Sequence, residues 1–162
     1  MSHSFLPRLG AALGLTALTL SGCSAIPADA EGTLDRARNG SLVVGVSEHK
    51  PWTDVNDETG EVTGSEADLI LSFADNIDAE VDWRPAAESI LAGQMKAGEV
   101  DVIIGGLTAT SPWSSHMALT RPYTSAETEE GDTEDMVMGV RLGENELLVA
   151  LERHLAKEHG EI

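Results

Sequence analysis

Cysteine is almost absent from this chain of 162 residues, in which Cys23 is the only one. No internal disulfide can form, so the folded part must hold by packing. Basic side chains are scarce too, 10 Lys and Arg against 28 Asp and Glu, for a formal net charge of −18. Phosphate binding needs a basic footprint, so this balance argues against nucleic acid as a partner. It speaks for solubility and not for fold. The commoner catalytic signatures are missing: there is no nucleophile beside a base, no cluster with metal-ligand spacing, and no phosphate loop with its lysine. His49, His116, His154 and His159 are scattered, as surface histidines are. No cofactor and no metal are expected, nor is an enzyme. The length allows one domain with a tail, enough for a genuine core.

The first residues account for the lone cysteine. His3 and Arg8 make a weakly positive start, residues 9–20 form a short apolar run, and LSGC closes it at Cys23. This is a secretory signal pattern, too short for a comfortable membrane span. LSGC resembles the lipobox of bacterial lipoproteins. By that resemblance Cys23 is the lipid attachment site, residues 1–22 are removed, and the chain is anchored to the outer face of the bacterial cytoplasmic membrane without spanning it. An ordinary cleaved signal peptide with an incidental cysteine is the alternative. Residues 23–32 would then be a tether.

What the chain has in place of catalytic motifs is one informative stretch, residues 99–113, EVDVIIGGLTATSPW. Val102, Ile103 and Ile104 form a continuous apolar run, as in a central strand covered on both faces. Gly105 and Gly106 let the chain turn sharply and let something approach the backbone. Thr108, Thr110 and Ser111 follow. A turn rich in free N–H and hydroxyl groups at the carboxyl end of such a strand is where open α/β sheets bind small ligands. Equally, the glycines could end a strand and the hydroxyls cap the next turn.

The remaining segments alternate. Thr33 can cap a brief helix that Gly40 ends, and residues 41–46, SLVVGV, read as a strand. Residues 47–60, which hold Lys50-Pro51-Trp52, break all periodicity, and a loop of that length is more often functional than accidental. From Gly64 the spacing predicts a helix with Leu69, Ile70 and Phe73 inward and Glu66, Asp68 and Asp75 off that face, Glu66 and Asp68 as helix-start surface acids. A strand is expected near 79–84 and a helix near 86–97, with Ile90, Leu91 and Met95 inward. Residues 117–120 suggest another strand. Residues 125–135, SAETEEGDTED, read as a solvated acidic connector. Residues 136–140 suggest a strand, and Asn145 would cap a last helix with Leu147, Leu148, Leu151 and Leu155 as its stripe, stopped by Gly160. The alternation implies an α/β architecture with a mostly parallel sheet flanked by helices.

In order, GTLDRARNGSLVVGV, KPW, ETGEVTGSEADLI, ESILAGQMKAGEVDVIIGGLTAT, TRPY and the tail MGVRLGENELLVALERHLAKEHGEI resemble one family, the bacterial extracellular solute-binding proteins of the amino-acid ABC importer type, family 3. The resemblance implies a periplasmic-binding-protein-like fold whose members have two α/β lobes around a ligand. Here TRPY passes almost at once to the closing segment, so this chain looks like a single lobe with the second lobe missing. Residues 33–123 would form its main part, 124–135 an acidic linker in place of the second lobe, and 136–162 its closing strand and helix. The ligand contacts implied are Trp52, Gly105, Gly106, Leu107, Thr108 and Thr110. At the position where amino-acid binders usually carry an arginine stands Trp113, a further candidate ligand-binding residue, which cannot hold a carboxylate bidentately but can stack on a ring, cover a cation or fill space. Arg121 reads as structural.

The function implied is solute binding for an ABC-type importer. A small polar solute, an ABC permease and the membrane through the lipid would be its partners, with self-association as a way to rebuild a cleft. A protein-interaction or sensor module using the former cleft face is the alternative. Catalysis, known in a few relatives with this fold that act as dehydratases, is a distant third.

Overall fold

Along SLVVGV the side chains alternate between two apolar environments: Leu42, Val44 and Val46 join one core cluster, and Val43 packs against the other. A strand with period 2 and no polar face belongs in a sheet covered on both sides. The computed structural model describes residues 28–128 and 131–160. The leader, Cys23 and the first half of the tether lie outside the described residues.

The elements run α1 (Thr33–Arg38), β1 (Ser41–Val46), β2 (Asp54–Val55), β3 (Val62–Thr63), α2 (Ser65–Asn76), β4 (Glu80–Pro85), α3 (Glu88–Ala97), β5 (Val102–Ile104), β6 (Met117–Leu119), β7 (Thr124–Glu127), β8 (Thr133–Met136), β9 (Gly139–Arg141) and α4 (Asn145–His159). The main sheet has the order β4-β1-β5-β9-β6. β4, β1 and β5 pair in parallel, β9 runs against β5, and β6 pairs antiparallel to β9. Thus β9 alone runs against the other strands of this sheet.

β5 divides the core. Val102 and Ile104 face the cluster built with Leu34, Ile70, Phe73, Leu147 and Leu151, whereas Ile103 faces Leu91, Met95 and Met117. Burying an aliphatic or aromatic side chain of this size is worth about 1.5 to 3 kcal/mol, so this layer is the main support of the strand end that carries Gly105. The inward face of α2 is as the spacing predicts, with Leu69, Ile70 and Phe73 buried.

Several expectations need correction. Ile90 is 55% exposed, and α3 turns Leu91, Ala92 and Met95 inward. The aperiodic loop contains β2, which pairs with β3 in a small hairpin. The acidic stretch contains strands: β7 and β8 pair over Thr124–Met136 to Glu127–Thr133, with Ser125, Glu127, Thr133 and Asp135 still solvent-facing. One face meets the main core, through Met136 and the half-buried Ala126, too few apolar residues to register as a pattern among the acids. The strand expected over residues 136–140 is split, Met136 ending β8 and Gly139 opening β9.

The helix starts also differ. Gly32 stands at the N-cap of α1 and Glu144 at that of α4, so neither Thr33 nor Asn145 is the cap. The free N–H groups are met from across the chain. Asp29 Oδ2 accepts from Leu34 N at 2.8 Å, while its Oδ1 accepts from Glu146 N and Leu147 N at 2.6 and 2.9 Å. Glu144, 1% exposed, accepts from Glu31 N and Thr33 N at 3.1 and 3.0 Å. Two carboxylates therefore tie the starts of α1 and α4 together at the amino end of β1 and β5.

Candidate functional site

β1 and β5 are register partners at their carboxyl ends, Val46 beside Ile104, and Ser47 N donates to Ile104 O at 3.0 Å. The two chains therefore leave the sheet side by side, one into residues 47–53 and the other into Gly105-Gly106. Thr53, fully buried, pins the first loop: its hydroxyl donates to Ser47 O and its Oγ1 accepts from His49 N at 3.0 Å. Trp52 N donates to His49 O at 2.9 Å, and Trp52 O accepts the first-turn Glu66 N of α2 at 3.0 Å. The loop thus serves as the polar lid of α2 and holds the indole at the edge of the main core.

The second loop needs its glycines. Gly105 has φ 135° and Gly106 φ 70°, in the left-handed region that glycine adopts at no steric cost. A Cβ on Gly105 would run into the Ser47 carbonyl, and one on Gly106 into the His49 ring and Trp52 Cδ1. What approaches the backbone closely is therefore the neighbouring loop of the protein itself.

The N–H groups of Gly105 and Gly106 are not free. Glu66 Oε2 accepts both, at 2.7 and 3.1 Å, and Glu66 Oε1 accepts the Tyr123 hydroxyl at 2.6 Å. Glu66 is fully buried, not a surface acid at a helix start. Burial pushes its carboxyl above the usual range, against the opposing pull of the Tyr123 hydroxyl, the two glycine N–H groups and the nearby His49. Burial and the adjacent carboxylate also push the Tyr123 phenol upward, which keeps its proton in place as a donor. The sequence signal for this was the acid off the apolar face of α2; what it lacked was any mark of donors so far away along the chain.

Beyond the glycines the hydroxyls organise the turn. Thr108 N donates to Ser111 Oγ at 3.1 Å, Ser111 N to Thr108 O at 2.9 Å, and the Thr108 and Thr110 hydroxyls lie 3.0 Å apart. Leu107 is buried, Thr108 half-buried and Thr110 exposed. The polar groups this edge offers to solvent are the threonine hydroxyls and the exposed His49, beside the half-buried Trp52.

Trp113 stands apart from Trp52. Its Nε1 donates to Glu88 Oε1 at the start of α3, its ring meets His116 edge-on at 5.7 Å, and it packs against the Leu91 cluster on the opposite face of the sheet. Arg121 is structural, paired with Glu152 at 3.2 Å. Of the histidines, His49 joins the site, and His154 is no surface residue. It is 7% exposed, 5.7 Å from the Phe73 ring and 3.2 Å from Asn76 Nδ2, and burial lowers its basicity. Among the described residues no group of three or more His, Cys, Asp or Glu could hold a metal, and no helix is long and apolar enough to cross a membrane. Both oxygens of Glu66 are occupied by donors from within the fold.

Comparison with known proteins bears on the fold and the family. The family model for bacterial extracellular solute-binding proteins, family 3, matches residues 42–159. A probable amino-acid-binding protein of Bacillus subtilis (strain 168), YxeM, is 29% identical over 72 residues, 44% of this chain and 27% of that protein, so the match spans about a quarter of the relative's length. Among solved structures, a Phe-to-Trp mutant of the arginine-bound form of domain 1 from TmArgBP superposes with a TM-score of 0.67 at 26% identity, over 77% of this chain and 97% of that one. An ancestral cationic amino acid solute binding protein shares the fold at a TM-score of 0.68 and 16% identity, over 79% of this chain and 95% of that one. A mixed sheet flanked by helices that reproduces a first lobe, with a family match over most of its length, places the chain among the bacterial extracellular solute-binding proteins of family 3.

Proposed function

We propose that the chain is an extracytoplasmic solute-binding lobe that takes a small polar solute, of the amino-acid class, on the edge formed by Trp52, His49, Thr108 and Thr110 over the turn of Gly105, Gly106 and the buried Leu107, and serves an ABC-type importer. The observation that carries this reading is the match to a domain 1 solved on its own in an arginine-bound form. A half-site buries less ligand than a closed cleft, so its affinity depends on how little must be ordered on binding. The turn meets that need, because its glycine backbone is already fixed by Glu66.

Within this reading the glycines shape the wall, and the threonine hydroxyls and the indole meet the solute. Trp113 occupies the sequence position at which amino-acid binders usually carry an arginine, but it is tied to Glu88 and packed on the Leu91 cluster, so recognition of an amino acid rests on hydroxyls, imidazole and backbone. Cys23 is the lipid attachment site after loss of residues 1–22, residues 23–32 are the tether, and the β7–β8 segment stands in place of a second lobe.

The test is thermal unfolding of the chain against a panel of polar metabolites that includes L-arginine, L-lysine and L-glutamine. A raised Tm with at least one solute is the expected outcome. No shift with any, alongside capture of a membrane protein, would overturn the transport reading in favour of an interaction module. Membrane fractionation of Cys23→Ser decides the anchor: the variant is expected in the soluble fraction, and an unchanged distribution refutes lipidation.

A further inference from the structure

The turn that carries the proposed ligand edge is supported by residues remote from it in sequence, and they come from two directions. Beneath it lies Glu66, with one oxygen on Gly105 N and Gly106 N and the other on the Tyr123 hydroxyl. Beside it lies the root of the β7–β8 hairpin. Val137 N donates to Leu107 O at 2.9 Å, Ala109 N donates to Asp135 O at 2.9 Å, and Thr108 bridges to Met136. Tyr123 belongs to both supports, since its phenol reaches Glu66 while its N–H donates to Met136 O at 3.1 Å.

We propose that Glu66 and Tyr123 are positioning residues for the ligand turn, and that through them and its backbone bonds the β7–β8 hairpin fixes the geometry of that turn without a second lobe. This rests on the solute-binding reading above. The physical need is specific. Two successive glycines lose more backbone freedom on ordering than any other pair, and a turn left to order around its solute would draw that cost from the binding energy. A buried carboxylate with both oxygens taken by donors removes the cost before the solute arrives, because any other turn geometry would strand buried donors.

The shape of the contact set makes the claim testable. Glutamine at position 66 keeps the volume but offers an NH2 group where two N–H groups or a phenol now donate. Phenylalanine at 123 removes one hydroxyl and nothing else. The experiment is amide hydrogen exchange of the full chain as wild type, Glu66→Gln and Tyr123→Phe, with L-arginine titrated into each by calorimetry.

Expected are exchange at Gly105 and Gly106 about tenfold faster in both variants, unchanged exchange at Val44 and Ile103 in the sheet, and a Kd for L-arginine raised by a similar factor. Unchanged glycine exchange in Tyr123→Phe overturns the proposal. So does acceleration of the sheet amides to the same degree, which would make the role merely structural. Should Glu66→Gln fail to fold, Tyr123→Phe alone decides. A wild type that takes up no L-arginine counts against the solute reading for that probe, whereas the exchange rates still judge the positioning role.

Discussion

Tyr123 donates its hydroxyl to Glu66 Oε1 at 2.6 Å across 57 residues of chain, and the other oxygen of the same carboxylate holds the N–H groups of Gly105 and Gly106. Removing the carboxylate strands three buried donors at once. Glu66→Ala should therefore cost on the order of 3 kcal/mol, read as a lower urea midpoint at unchanged slope. A loss within a few tenths of a kcal/mol would mean that water or relaxation replaces Glu66 with ease.

Two carboxyls give stability opposite dependences on pH. Glu66 titrates above its unfolded value, chiefly because it is buried. The folded state then holds its proton more tightly, and the stability it contributes is present below the ordinary carboxylate range and lost as pH rises through the raised value. Glu144 is buried as well, which opposes ionisation, but the Thr33 and Glu31 donors and Arg141 outweigh that and lower it. Its contribution is present above the ordinary range and lost as pH falls through the lowered value. Urea unfolding from about pH 3 to about pH 8 should show the falling limb vanish in Glu66→Gln and the rising limb weaken in Glu144→Gln. Persistence of both limbs in the variants would refute the assignment.

Asp29 serves two helices, so its loss is felt twice. Ordinary N-cap deletions cost about 1 kcal/mol each, and Asp29→Ala should cost roughly 2 kcal/mol, with faster amide exchange at Leu34, Glu146 and Leu147 together. If only one helix start loosens, the shared cap is not energetic.

The two tryptophans near the carboxyl edge should separate cleanly. Trp113→Ala removes an indole packed on the Leu91 cluster and leaves Glu88 unpaired, which predicts a loss of about 3 kcal/mol in stability with solute affinity little changed. Trp52→Ala should weaken binding of whichever solute raises the Tm, by about tenfold or more, an effect the size of a lost aromatic contact. The reverse pattern would place the ligand edge on the Trp113 side.

Much of the scaffold was legible in the residues. The run Val102-Ile103-Ile104 announced a central strand, since nothing but burial on both faces tolerates it, and Leu69, Ile70 and Phe73 marked the inward face of α2. The glycine pair marked the sharp turn, which lies against His49 and Trp52 at the carboxyl end of β1 and β5. Less visible were interactions whose partners are far apart in sequence. Nothing local distinguishes Glu66, fully buried under the turn, from Asp68, exposed two residues on. Asp29 caps a helix that begins 116 positions later, so Thr33 and Asn145, good caps by type, were credited with work done elsewhere. Ile90 was assigned inward by type, although helix geometry gave that face to Leu91, Ala92 and Met95. The acidic hairpin showed no pattern because only Ala126 and Met136 reach the core, while its strands answer chiefly to each other and to residues 107–109.

The Asp29 and Glu144 clamp also fixes which way the protein can be pulled. It lies at the amino end of β1 and β5, where Arg141 N meets Asp101 O, while Gly105 and Gly106 leave the opposite end. Six residues of strand span about 20 Å. Tension arriving along the chain ahead of Asp29 passes into the starts of α1 and α4 and reaches the glycine turn only through the length of the sheet. Seen from Asp29, the Gly105-Gly106 turn that carries the proposed ligand edge is the far pole of the sheet.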